Sequence, residues 1–317
     1  MNISLKAGLT AFTMAVTLAT GAVAADWTPP GPITMKISFA AGGGADTQGR
    51  LIAAELEDRL GWSIIPENLP GRGGLTAAAD LIDDPADGTV IMMGATETFG
   101  YGMLTAKTGW KPASFTPIVT TAGFQMGLVA ASSKGWKTVD DMFAAAKSGE
   151  TIRFGSLSAR LADLATLLGE ANGVDFNIVD IKGGGPLMNA MMAGDVDVGF
   201  VAGAQTKRVL AGELVNLASA LSTPLVATPD APLLLDRGLE FNSDGYFYIA
   251  GPAGLPDEAR DAIANAVADI VSDPANPAGA MIKKAFGGPG VLKGAELDNF
   301  MQAVYDDAGK LIAVMNQ

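Results

Sequence analysis

Apolar positions along the chain follow two spacings. Short runs rich in β-branched and other apolar residues recur at Ile33–Phe39, Ser63–Glu67, Thr89–Met93, Thr151–Gly155, Asn177–Ile181, Val196–Val201 and Tyr246–Ala250, and read as strands. Between them apolar residues return every three or four positions. Ile52, Leu56 and Leu60 mark a helix over about 46–60, with Glu55, Asp58 and Arg59 on its other face. Leu161, Leu164 and Leu168 mark a second over about 160–171. A long amphipathic helix carrying Leu297, Phe300, Met301, Val304, Ala308, Leu311, Ile312 and Met315 closes the chain. Strands alternating with helices predict an α/β fold. Asp46 in the first turn of the first helix, Arg59 in its last and Gly61 just beyond suit the helix dipole and the C′ position.

No repeat of fixed period is present, but one design recurs at residues 33–60, 151–171 and 177–193: strand, glycine-rich turn, helix. Gly42-Gly43-Gly44 and Gly183-Gly184-Gly185 head two of these helices, and Pro186 stands where a first helical turn accepts proline. Glycine lets backbone N–H groups converge, and a helix start adds unpaired N–H groups and about half a positive charge. Two or three such starts facing one cleft would hold a small anion without a lysine. Neither G-x-G-x-x-G nor G-x-x-x-x-G-K-[ST] occurs, so nucleotide binding is not expected.

Composition narrows the chemistry. The 317 residues contain no Cys and no His. That excludes disulfides, thiol nucleophiles, Ser-His-Asp catalysis and Cys- or His-ligated metals, and lowers the expectation of an enzyme. No catalytic residue, cofactor or metal is expected. With 21 Lys+Arg against 34 Asp+Glu the net charge is −13, which argues against nucleic acid or an anionic membrane as partner. Lys6, an uncharged apolar stretch from Ala7 to Gly21 that is too short to span a bilayer, and Ala22-Val23-Ala24 make residues 1–24 a signal peptide cleaved after Ala24. A soluble, exported, periplasmic monomer is expected.

Four stretches, in order, carry a family resemblance. Ser38-Phe39-Ala40-Ala41-Gly42-Gly43-Gly44-Ala45-Asp46 resembles the first-strand signature of the Bug family, the extracytoplasmic solute-binding receptors of tripartite tricarboxylate transporters. Glu67-Asn68-Leu69-Pro70-Gly71-Arg72-Gly73-Gly74 is similar to its E-N-x-P-G-x-G-G. Lys182-Gly183-Gly184-Gly185-Pro186, followed by Gly194-Asp195-Val196-Asp197, is similar to K-G-x-x-P and G-x-V-D, and Gly251-Pro252-Ala253-Gly254-Leu255-Pro256 to A-P-A-G-x-P. The resemblance spans nearly the whole chain beyond the leader. It departs at two places where ligand should sit. Gly155-Ser156-Leu157-Ser158-Ala159-Arg160 keeps only the Gly-Ser of G-S-x-G-x-G-S, and Phe200-Val201-Ala202-Gly203-Ala204 replaces a pattern closer to F-D-N-x-P.

The resemblance implies a two-lobed type II periplasmic binding protein fold with a ligand cleft between the lobes. Lobe 1 would comprise 25–123 plus 245–317, and lobe 2 would comprise 124–244. It implies a small carboxylate ligand, delivered to large and small membrane subunits of a transporter. Carried over, Phe39, Gly43, Gly44, Ala45 and Asp46 would line one side of the cleft, and Ser156, Ser158 and Gly183, Gly184 and Gly185 the other. From the residues themselves, Arg160 at a helix start is misplaced for the dipole and is a candidate carboxylate clamp. Asp46 reads as orienting the first turn, Lys182 as a structural salt bridge, Thr96 as a hydroxyl donor, Glu97 as a helix-start residue and Tyr246 as a ring on the cleft wall. The acid pairs Asp83-Asp84, Asp140-Asp141 and Asp306-Asp307 read as solvated, and Met188, Met191 and Met192 as core. Two other functions compete: a ligand-loaded adaptor for a membrane sensor kinase, and an exported hydrolase, for which Ser156 lacks a G-x-S-x-G context.

Overall fold

The computed structural model describes residues 27–316; the leader lies outside them. In chain order the strands and helices are β1 (Ile33–Ile37), α1 (Gly44–Leu60), β2 (Ile64–Asn68), α2 (Leu75–Leu81), β3 (Val90–Ala95), α3 (Tyr101–Thr105), β4 (Phe115–Gly123), β5 (Met126–Ala131), α4 (Val139–Lys147) and β6 (Ile152–Ser156). There follow α5 (Ala159–Asn172), β7 (Phe176–Asp180), α6 (Gly184–Ala193), β8 (Val198–Ala202), α7 (Thr206–Leu210), β9 (Leu214–Ser219), β10 (Tyr246–Pro252), α8 (Asp257–Ser272), α9 (Pro277–Phe286) and α10 (Gly294–Met315).

These build two α/β lobes, each on a five-stranded sheet: β2-β1-β3-β10-β4 and β7-β6-β8-β5-β9. The sheets share a plan. In each, three neighbouring strands run parallel, and a fourth strand lies antiparallel beside them. That fourth strand, β10 in one lobe and β5 in the other, is the one entered from the opposite lobe. The two crossovers meet where the Phe124 amide donates to the Gly245 carbonyl at 2.8 Å.

Both faces of each sheet are covered. One core runs from Ile33, Ile37, Ile52 and Leu56 in the first lobe through Phe124 and Phe247 to Phe154, Leu164 and Phe200 in the second. A second core under α2, α3 and α10 gathers Leu81, Met92, Phe99, Tyr248 and Met301. A third gathers Val129, Leu187, Met191 and Val201 beneath α6.

Several single-residue expectations change on folding. Leu60, the last residue of α1, is 48 % exposed, whereas Glu55 is 9 % exposed and held by Arg59, which also reaches Asp273. Met188 and Met191 are core, but Met192 is 46 % exposed beside Arg208. Asp84 is not a freely solvated charge, because with Asp80 it neutralises the buried Lys36 ammonium. Asp141 closes a capping box with Thr138 at the start of α4, and Asp140 pairs with Arg237.

Candidate functional site

The site lies at the carboxyl ends of β1, β6 and β7, where the chain turns into α1, α5 and α6. In the first turn Gly42 adopts φ +82°, which a side chain disfavours, and Gly43 caps α1 in extended backbone with no side-chain cap. The first helical bond runs from the Thr47 amide to the Gly43 carbonyl at 3.0 Å. The amides of Gly44, Ala45 and Asp46 therefore precede the ladder and have no partner within the helix. In α6 the first bond is from Leu187 to Gly183 at 3.1 Å, which leaves the amides of Gly184 and Gly185 in the same position.

Asp46 does not face the cleft centre. Its carboxylate accepts from the Gly42 amide at 2.9 Å, from Asn68 at 2.9 Å and from Arg50 at 2.8 Å. Burial alone would raise its pKa, but the Gly42 amide, Asn68 and Arg50 hold it below the ordinary carboxylate range. Asp46 is thus the clip that fixes the first turn, and the Asn68 amide ties that turn to β2 by also donating to the Phe39 carbonyl at 2.9 Å.

Two glycine turns from opposite lobes lie against each other. The Ala40 amide donates to the Lys182 carbonyl at 3.0 Å. A Cβ on Gly183 would stand 2.8 Å from the Ala40 nitrogen, and one on Gly185 would stand 2.5 Å from the Ala41 carbonyl oxygen. These glycines are required by the approach of one backbone to another. Lys182 contributes its carbonyl; its side chain is exposed and, among the described residues, forms none of the salt bridges found, so the expected bridge is not made.

Beside these turns is a chamber of about 40 Å³. Gly43, Gly44, Ala45 and Gly184 form its polar floor. Its wall is apolar: Phe39, Phe124 and Phe247 with Ala95 from the first lobe and crossover, and Met126, Leu157, Leu161 and Val201 with Ala202 and Ala204 from the second. The Phe247 ring rests on the start of α1, so that a Cβ on Gly44 would meet its Cζ at 2.7 Å. It stacks edge-on against Phe124 at 5.0 Å and Phe286 at 5.2 Å. Glu97 is the single ionisable side chain on this wall. Burial pushes its carboxyl pKa up, against the opposing charge of Arg160 and a hydrogen bond from Ser158.

Glu97 also borders two outer cavities. One, of about 250 Å³, carries Arg72, Ser158 and Arg160; the other, of about 560 Å³, carries Thr96, Tyr101, Arg160, Tyr246 and Phe300. Of the remaining expected site residues, then, none lines the chamber itself. Thr96 is buried and accepts the Tyr246 amide at 3.1 Å, which fastens β10 to the end of β3. Tyr246 packs edge-on against Phe300 at 5.2 Å. Ser156 is buried and donates to the Ser158 carbonyl at 2.8 Å, and Ser158 caps α5 by accepting the Leu161 amide at 3.3 Å. Arg160 donates to the Asn242 carbonyl at 2.7 Å. Flanking the cleft, Tyr101 of α3 bonds Asp163 of α5, and Thr206 of α7 donates to the Ala285 carbonyl of α9 at 3.2 Å.

The wall residues Phe124, Met126, Leu161 and Phe247 carry no motif, since each looks like core until two lobes face each other. Glu97 does open a short helical turn, as expected, and borders the chamber as well. Both departures from the family pattern lead here: that at Gly155–Arg160 places Leu157 on the wall, and that at Phe200–Ala204 places Val201, Ala202 and Ala204 there.

Comparison with known proteins accords with this geometry. The chain is 27 % identical over 259 residues to the Agrobacterium vitis protein of the TAR-I ttuE–ttuC′ intergenic region, covering 80 % of this chain and 75 % of that one. Its fold matches the structure of the periplasmic binding protein BugD with a TM-score of 0.81 at 22 % identity, over 90 % of this chain and 98 % of BugD. It likewise matches MatC from Rhodopseudomonas palustris with bound malate, with a TM-score of 0.77 at 23 % identity, over 90 % and 100 % of the two chains. The two-lobed architecture of this chain is thus matched over nine-tenths of its length by both solved structures. The model of the tripartite tricarboxylate transporter family receptor matches residues 49–316; the chain belongs to that receptor family.

Proposed function

We propose that this receptor captures a small organic acid between its lobes, outside the cytoplasm, and delivers it to the large and small membrane subunits of a tripartite transporter. The observation that carries this reading is the convergence of the α1 and α6 starts on one chamber between the lobes. Their unpartnered amides and dipole ends supply positive potential that the acidic side-chain composition does not. The neighbour MatC, which holds malate, supports a carboxylate as the ligand class. Lobe 1 is taken as 25–123 plus 245–317 and lobe 2 as 124–244, the ligand closing them about the paired crossovers at Phe124 and Gly245. The working form is a periplasmic monomer freed by cleavage after Ala24.

Membership in a receptor family makes the chain a binding protein and not an enzyme. Ser156, the serine weighed for the hydrolase alternative, is buried and donates its hydroxyl to the Ser158 carbonyl.

A thermal-shift screen of the mature protein against mono-, di- and tricarboxylates tests the reading. An acid present at about 100 times its dissociation constant adds about 2.7 kcal/mol of stability. Stabilisation by neutral or cationic solutes, with none by any acid, contradicts it.

A further inference from the structure

We propose that the chamber selects small monocarboxylates with an apolar body, and that Glu97 is the side chain that turns away a second carboxylate. This rests on the carboxylate-capture reading above and narrows it to a substrate class.

Charge balance gives the first reason. Each helix start is equivalent to about half a positive charge, so the α1 and α6 starts together offset about one carboxylate. No lysine or arginine lines the chamber. Arg160 and Arg72 border the outer 250 Å³ cavity, and Arg160 is engaged with the Asn242 carbonyl and with the charge of Glu97.

The wall gives the second. Beyond the glycine floor a ligand meets Phe39, Phe124, Phe247, Met126, Leu161 and Val201, which solvate a methyl or methylene body and offer a carboxylate nothing. The one polar side chain that such a body reaches is Glu97, itself an acid. When ionised it repels a second carboxylate held against the same apolar wall; when protonated it supplies one neutral hydrogen bond against the desolvation of a charge.

Size gives the third. A water-sized occupant needs about 10–15 Å³ of such space, so about 40 Å³ suits a short acid.

Matched pairs test the proposal, since the two members share a carbon count and differ in whether the far end is a methyl or a carboxylate: propionate against malonate, and butyrate against succinate. Calorimetry on the wild-type protein is expected to favour the methyl-ended acid in each pair by about 100-fold or more. In Glu97→Gln, which keeps the shape and removes the acid, that preference is expected to narrow by about tenfold. Circular dichroism confirms that the variant is folded.

Tighter binding of succinate, malonate or adipate than of the monocarboxylates by wild-type protein overturns the proposal and leaves carboxylate capture standing. An unchanged preference in folded Glu97→Gln overturns the role of Glu97. Binding of neutral solutes with no acid bound overturns the underlying reading instead.

Discussion

Gly185→Ala is expected to abolish tight ligand capture while leaving both lobes folded. Gly185 lies in the first turn of α6, in ordinary helical backbone, so alanine suits its conformation in the second lobe taken alone. The obstacle lies across the cleft. Its Cβ would come within 2.5 Å of the Ala41 carbonyl oxygen and 2.9 Å of the Gly42 carbonyl carbon, both backbone atoms that no rotamer change can move. Seating the lobes then requires the first glycine turn to shift, against the Asp46 clip that fixes it. Overpacking of this kind costs about 2–3 kcal/mol, which is about 30- to 150-fold in affinity. Calorimetry on the variant is expected to show that loss. Small-angle scattering is expected to show an open form that an acid no longer compacts. Wild-type affinity in Gly185→Ala contradicts the account of the turns.

Phe247→Ala is expected to give the largest loss of stability among the wall residues. The ring is 4 % exposed, sits between Phe124 and Phe286, and covers the start of α1 at Gly44. Truncating a buried aromatic costs about 3–5 kcal/mol, partly lost transfer energy and partly the cavity that remains. That cavity opens into the ligand chamber, so the same variant is expected to accept bulkier acids than wild type does. Urea unfolding measures the first effect and a titration with benzoate the second. A change below about 1 kcal/mol contradicts the placement of Phe247 at this junction.

Much of the framework is legible from local signals. The runs at Ile33–Phe39 and Tyr246–Ala250 become β1 and β10, and the amphipathic spacing from Leu297 to Met315 becomes α10. Gly61 ends α1 at φ +69°, as the dipole and cap reading expects. Strand β5 is harder to read, because all six of its residues are buried and no period-two alternation survives. The glycine turns were visible because glycine in series before a helix has a local cause. The chamber wall was not, because Phe124, Leu161 and Phe247 acquire their role only when two sheets distant in sequence come face to face. Thr96 and Tyr246 border the outer cavity of about 560 Å³ and Ser156 is buried, and their hydroxyl or ring partners also tie them to the scaffold. Arg160, singled out as misplaced for its helix dipole, does face the cavities beside the chamber, with its guanidinium donating to Asn242.

A crystal structure of the mature protein with the tightest-binding acid of the screen tests the central claim most directly. The account predicts a carboxylate oxygen within about 2.7–3.2 Å of the amides at Gly44–Ala45 and Gly184–Gly185, with the acid's body against Phe39 and Phe247. A carboxylate seated instead between Arg72 and Arg160 in the outer cavity, with the glycine-turn amides untouched, contradicts it.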